Sequence, residues 1–199
     1  LYNEFLLDTC FSSQASAPGD QDSSAIAYDG TNYMVIWQDR RYNLDLNIMG
    51  ARVNHDGIVI DSFGIVICEA ASEQTLPSIA FNGTYYIVVW QDKRNGNWDI
   101  YGARVTTSGI VIDTGGFPIA TRASEELKPA VASGNGNYIV VWQHPSNFYD
   151  IYGSINDSTD FKISHDTLDG EYPAVAYDGT NFLVAWHHYS DATNKYDVF

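Results

Sequence analysis

Along the chain, short stretches in which apolar residues alternate with small or polar ones are closed by glycine, asparagine or aspartate, and no stretch holds a helical apolar period of useful length. One unit reads clearly. Ser78-Ile-Ala-Phe81 alternates as a first strand, and Asn82-Gly-Thr84 is a tight hairpin turn. Tyr86-Ile-Val-Val-Trp90, apolar throughout, is a second strand buried on both faces. The polar run Gln91 to Asn97 loops to a third strand over Asp99 to Val105. Thr106-Thr-Ser-Gly109 then turns into a fourth strand from Ile110.

This unit recurs. Ala25 to Trp37, Ser78 to Trp90, Ala130 to Trp142 and Ala174 to Trp186 are four copies of one phrase, with the tryptophans 53, 52 and 44 residues apart. A second phrase follows as Asn47-Ile-Met-Gly-Ala-Arg-Val53, Asp99-Ile-Tyr-Gly-Ala-Arg-Val105 and Asp150-Ile-Tyr-Gly-Ser-Ile155, and begins again at Asp197. A third is Ile58-Val-Ile-Asp61 and Ile110-Val-Ile-Asp113, with Phe161-Lys-Ile163 a shorter relative. Tandem four-stranded antiparallel units of about 40–50 residues are propeller blades. The pattern predicts an all-β, four-bladed β-propeller, one domain with repeats at about 24–76, 77–128, 129–172 and 173–199, the last completed by 1–23. Phe5-Leu-Leu-Asp8 falls in phase with Ile58 to Asp61, so the N- and C-terminal strands are expected to share one blade and close the ring. A slice of a longer propeller is the rival arrangement.

Asp92-Lys-Arg-Asn-Gly-Asn-Trp-Asp-Ile-Tyr101 resembles the segment between strands two and three of TolB-type propeller repeats. Blade number and length are similar to hemopexin-like four-bladed propellers. These resemblances imply a propeller; that to the hemopexin-like group also implies a narrow tunnel whose backbone carbonyls hold a cation.

Composition narrows the function classes. Of 199 residues, 10 are Lys or Arg and 25 Asp or Glu, a net charge of −15, which repels phosphate backbones and anionic lipid. Nucleic-acid binding and membrane insertion are therefore not expected. Acidity, few lysines and the sequons at Asn82 and Asn156 point to a secreted or cell-surface glycoprotein. A start at Leu1 is read as that of a processed product. Cys10 and Cys68 lack metal-site spacing and are expected as buried free thiols, a single disulfide being the alternative.

Strand direction sorts candidate ligands by face. The loops leading into strand one carry an acid at the same phase in each unit, Asp20, Glu73, Glu125 and Asp169, a mouth able to attract calcium or a ligand. The loops between strands two and three open on the same face, with Asp39–Arg41 and Asp92–Arg94 expected as buried ion-paired caps. Leu46, Trp98, Tyr149 and Tyr196 share one phase, the aromatic ones being possible sugar platforms. Gln-Asp becomes Gln143-His144 and His187-His188 in the last two blades, but adjacent imidazoles on a strand point to opposite faces and make a poor metal site.

No nucleophile elbow, phosphate loop or zinc motif is present. A glycosidase needs two particular carboxylates, whereas the mouth acids recur in all four units. The sequence thus leads to the expectation of a non-enzymatic recognition module binding carbohydrate or protein through its acidic face. The alternatives are an assembly subunit that self-associates by strand pairing, and a glycoside-cleaving enzyme.

Overall fold

The computed structural model describes residues 19–41, 45–146, 149–164, 169–190 and 195–199. Among the described residues, fifteen strands form four antiparallel sheets. Blade one holds β1 (Gln21–Tyr28), β2 (Asn32–Asp39), β3 (Asn47–Asn54) and β4 (Ile65–Cys68). Blade two holds β5 (Gln74–Phe81), β6 (Tyr85–Asp92), β7 (Asp99–Thr106) and β8 (Phe117–Ala120). Blade three holds β9 (Leu127–Gly134), β10 (Asn137–Pro145), β11 (Tyr149–Ile155) and β12 (Phe161–Lys162). Blade four holds, among the described residues, β13 (Asp169–Tyr177), β14 (Phe182–Ser190) and β15 (Lys195–Val198). The all-β, bladed architecture expected from the repeats is present.

In blades one and two the fourth strand differs from expectation, whereas in blade three it falls on Phe161–Lys162, within the expected Phe161-Lys-Ile163. Ile58-Val-Ile-Asp61 and Ile110-Val-Ile-Asp113 fold back on the strand before them through single bridges, Val53 to Val59 and Val105 to Val111. Arg52 and Arg104 hold these side hairpins, each donating through Nε at 2.8 Å and Nη2 at 2.8 and 2.7 Å to the two carboxylate oxygens of Asp61 and Asp113. A two-pronged fork on a carboxylate fixes direction as well as energy. The fourth strands of these two blades come later, where Gly50 pairs with Ile65 and Gly102 with Phe117; in blade three Gly153 makes the equivalent pair with Phe161. The glycine of the second phrase permits this approach. A Cβ at Gly50, Gly102 or Gly153 would lie 3.0, 2.9 or 2.8 Å from Ile67, Ile119 or Ile163. Blade three lacks the side hairpin, which accounts for the shorter last tryptophan spacing.

From its alternation, strand one is expected to turn Ala25 and Ala27 to a central tunnel and Ile26 into the blade. Blades stack face to face instead, so the two faces of a strand look at its two neighbouring blades. Ala25 and Ala27 pack with Ile79, Tyr86, Val88 and Trp90 between blades one and two. Ala80, Ile87 and Val89 pack with Val131, Val140 and Trp142 between blades two and three. The strands β1, β5, β9 and β13 run side by side, each packed on the next. No comparable packing joins β13 to β1 among the described residues. The outward faces there are open, with Ile26 59% and Leu183 72% exposed. The pairing expected of Leu1 to Asp8, and Cys10, lie outside the described residues. Cys68 is a buried free thiol, touched by Arg94 Nη2 at 3.4 Å.

Candidate functional site at the axial mouth

Each inner strand breaks its ladder at one place. The register slips between Asp22 and Ala25, Thr75 and Ser78, and Glu171 and Ala174, and on β9 opposite the interval from Val141 to Gln143. At each slip one non-glycine residue adopts a left-handed backbone: Ser23 (φ 53°), Leu76 (φ 51°), Lys128 (φ 56°) and Tyr172 (φ 51°). That conformation costs on the order of 1–3 kcal/mol per residue and persists only where surroundings enforce it. A bulge re-aims a side chain out of the sheet. With Ser24, Pro77, Pro129 and Pro173, these four residues line one depression of about 380 Å³ to which all four blades contribute.

The enforcing contact comes from the preceding blade. Gln38 Oε1 accepts the Leu76 N–H at 3.0 Å, Gln91 Oε1 that of Lys128 at 2.7 Å, and Gln143 Oε1 that of Tyr172 at 3.1 Å. All three glutamines are buried. Gln91→Leu is expected to cost about 1–3 kcal/mol by leaving a backbone donor unpaired. Equilibrium urea unfolding measures this; an unchanged midpoint would remove the latch from the account.

The residues around the depression are not equivalent from blade to blade. Beside the bulge stand Asp22, Thr75, Leu127 and Glu171, so carboxylates occur only in blades one and four. Asp22 accepts a hydrogen bond from Gln38 Nε2, and Glu171 lies across the ladder from His187. Tyr172 is 53% exposed, with Lys128 Nζ 4.9 Å from its ring centroid and the His187 ring at 5.8 Å. His187 occupies the position of the latch glutamines. An aromatic face with an ammonium beside it offers both a platform and a donor for a polar ring. Glu126 has the raised proton affinity of a general acid, its pKa pushed up to about 7 chiefly by burial, but it is fully buried and faces His144.

The residues expected from the sequence do not line this depression, and each makes contacts of its own. Glu73 pairs with Arg40 at 3.4 Å, and its carbonyl accepts the Lys93 N–H at 2.9 Å, as that of Asp20 accepts the Arg40 N–H at 3.1 Å. Asp169 Oδ1 accepts the Tyr149 N–H at 2.8 Å, and Glu125 is exposed. Trp98 belongs to an inter-blade joint: its carbonyl takes the Glu126 N–H at 2.7 Å and Lys93 Nζ lies 5.0 Å from its ring. Tyr196 is exposed on blade four, its ring 5.1 Å from that of Tyr189. Among the described residues, no group of three or more His, Cys, Asp or Glu side chains is arranged to hold a metal ion. The caps form as Trp–Asp–Arg units, with Trp37 Nε1 donating to Asp39 at 2.7 Å and Trp90 Nε1 to Asp92 at 2.8 Å. Asp99 is bound by Asn95 and Asn97. Asp22, Glu171 and Tyr172 were missed from the sequence; their one signal is the proline that follows the bulge in blades two to four.

No protein-family model and no curated protein matches the chain, so neither the TolB-type nor the hemopexin-like resemblance finds a counterpart. Solved structures do match in fold. An endo-arabinase from Bacteroides thetaiotaomicron superposes with a TM-score of 0.59 at 12% identity, over 94% of this chain and 78% of that one. A glycosyl hydrolase from Bacteroides ovatus gives 0.58 at 9% identity, over 92% and 66%. A thermostable family-43 glycoside hydrolase gives 0.56 at 14% identity, over 90% and 70%. The chain thus spans roughly two thirds to three quarters of the length of these three. Such identities establish a propeller-like fold shared with glycoside hydrolases. They overturn the expectation of a non-enzymatic recognition module, since the proteins that share this fold here are enzymes. That expectation rested on acids repeated in every blade, and the blade-specific acids stand at a different register position.

Proposed function

We propose that the chain forms the substrate-binding blades of a glycoside-cleaving enzyme, with a glycan bound at the axial mouth. The observation that carries this reading is the divergence of the four bulge sites: one structural position, enforced in three blades by the same glutamine latch, presents Ser23, Leu76, Lys128 and Tyr172, with carboxylates beside only two of them. Asp22 and Glu171 are the acid–base pair in this reading. One protonates the departing glycosidic oxygen while the other either activates water or attacks the anomeric carbon. Tyr172 stacks on a sugar ring, and Lys128 donates to its hydroxyl groups. A secreted or surface location suits a polymeric substrate, and no described helix is long and apolar enough to cross a membrane.

The test is release of reducing ends from a panel of polysaccharides, arabinan included, by the wild type and by Tyr172→Ala. The variant should raise KM more than it lowers kcat, because a stacking platform binds ground and transition states alike. A chain that cleaves nothing in the panel, nor any aryl glycoside, would sink the proposal.

A further inference from the structure

A second chemical constellation sits apart from the bulges, in blade three. In blades one and two the cross-strand neighbours at this level are Gln21 with Asp39 and Gln74 with Asp92. In blade three the carboxylate has changed strands: Glu126 precedes β9, and His144 on β10 replaces the aspartate. Nδ1 of His144 lies 3.2 Å from Glu126 Oε1, and Nε2 lies 3.3 Å from Ser124 Oγ. Glu126 is fully buried, His144 is 9% exposed and Ser124 is half-buried.

The exchange carries a structural cost. Trp142, equivalent to the tryptophans that bond Asp39 and Asp92, has no partner for its buried Nε1 among the described residues, which leaves a desolvated donor unpaired. Blade four loses the same aspartate to His188, whose buried ring nitrogens have no partner among the described residues; in blade three the exchange instead sets a hydroxyl, an imidazole and a carboxylate in line, the arrangement of a site rather than of packing. We propose that Ser124, His144 and Glu126 form a nucleophilic relay that hydrolyses short-chain carboxylic esters.

The chemistry follows the geometry. Ser124 Oγ adds to the ester carbonyl carbon as its proton passes to His144 Nε2. Collapse of the adduct breaks the carbon–oxygen bond to the alcohol, which leaves with that proton. Water then repeats the sequence on the acyl-serine, releasing the carboxylic acid and restoring Ser124. Arg122, stacked 4.2 Å over the Tyr152 ring and ion-paired with Asp160, supplies positive charge beside the relay. An ester is the less demanding substrate, because its alkoxide leaves more readily than an amine. This site is independent of the glycan reading.

The relay depends on the proton of Glu126. Below about 7 the buried carboxyl keeps its proton and donates to Nδ1, so Nε2 carries the ring hydrogen and cannot accept from Ser124. Above that value the carboxylate accepts from Nδ1–H and frees Nε2. The other charged groups facing the pair are Arg122 and Asp160 from the flanking loops, Asp150 on β11 and, toward Glu126, Asp99 on β7.

The experiment uses a fluorophosphonate and p-nitrophenyl acetate on the full chain. Wild type should gain one phosphonyl group, mapped to Ser124 by peptide mass, and ester hydrolysis should rise with pH through about 7. Ser124→Ala should lose the adduct and about 100-fold in kcat/KM while keeping its melting temperature, and Glu126→Gln should flatten the pH profile. Two results overturn the proposal: no adduct on Ser124 in the wild type, or ester hydrolysis by Ser124→Ala within roughly threefold of wild type. A purely structural Ser–His–Glu contact gives the first of these.

Discussion

Trp90→Ala is expected to destabilise the protein by about 3–5 kcal/mol, the range for deleting a large buried aromatic side chain. Trp90 is wholly buried among Met34, Ile36 and Ile67 of blade one and Tyr101 and Val105 of its own blade. Its ring also fills the space beneath Gly116, where a Cβ would lie 2.6 Å from it. Truncation therefore opens a cavity at an inter-blade seam, where two rigid sheets cannot collapse inward. It also removes one donor from the buried Asp92, leaving Arg94 Nε at 2.8 Å as a remaining support. Trp90→Phe separates the two effects, retaining most of the volume and losing the bond, with about 1–3 kcal/mol expected. Guanidinium unfolding followed by far-ultraviolet dichroism measures both. An alanine variant within about 1 kcal/mol of wild type would contradict a sealed seam.

The largest effect on activity is expected from the blade-specific carboxylates. Asp22→Asn and Glu171→Gln should each lower glycoside cleavage by about 10²–10⁴-fold, the usual contribution of a positioned acid or base. Folding should be little affected, because Asp22 is exposed and Glu171 is partly so. Thr75→Val and Leu127→Ala provide the control, since they occupy the same register position in the other two blades. They should leave kcat within roughly tenfold of wild type. If all four substitutions act alike, the position matters to the scaffold and the acid–base assignment fails. Initial rates with the melting temperature of each variant decide between these outcomes.

Buried Glu126 also leaves a mark on stability. Its folded-state pKa, about 7, stands above the ordinary 4.5. The unfolded chain therefore releases this proton first as pH rises. Between pH 4.5 and 7 this group makes folding progressively less favourable, and above 7 its effect is constant. Relative to wild type, Glu126→Gln should gain stability across that window. Urea midpoints at several pH values test this, and a difference independent of pH would show that the carboxyl is not protonated in the fold.

What could be read from the sequence was whatever recurs at fixed spacing. The tryptophan phrase and the glycine of the second phrase gave the blades, because each is demanded by packing that every repeat shares. Strand four was misplaced in blades one and two because Ile58-Val-Ile60 carries as strong an apolar signal as Ile65-Val-Ile-Cys68. The choice between them is made by the Arg52–Asp61 fork, a contact of side chains that periodicity does not encode. Ile26 was assigned to the blade interior because strand alternation gives two faces without saying what stands opposite each. The mouth stayed hidden for a related reason. Left-handed backbone at Leu76, Lys128 and Tyr172 is imposed by glutamines from another blade, and none of these residues favours that conformation by itself. Glu126 was passed over for its exposed neighbour Glu125, although the change from aspartate to His144 marked the same level of the blade.

The glutamine latches give the molecule a direction in time. Each acceptor lies in one blade and its donor in the next, so Gln38 is already in place when the strand holding Leu76 is synthesised, Gln91 before Lys128, and Gln143 before Tyr172. A chain emerging from the ribosome can thus dock its blades in sequence, each finished sheet acting as the template for the kink of its successor. Among the described residues Ser23 has no such forerunner. Hydrogen exchange on ribosome-bound chains of increasing length should accordingly find protection appearing at Leu76, then Lys128, then Tyr172, and protection of all three only in the longest chain would show that the blades lock together at once.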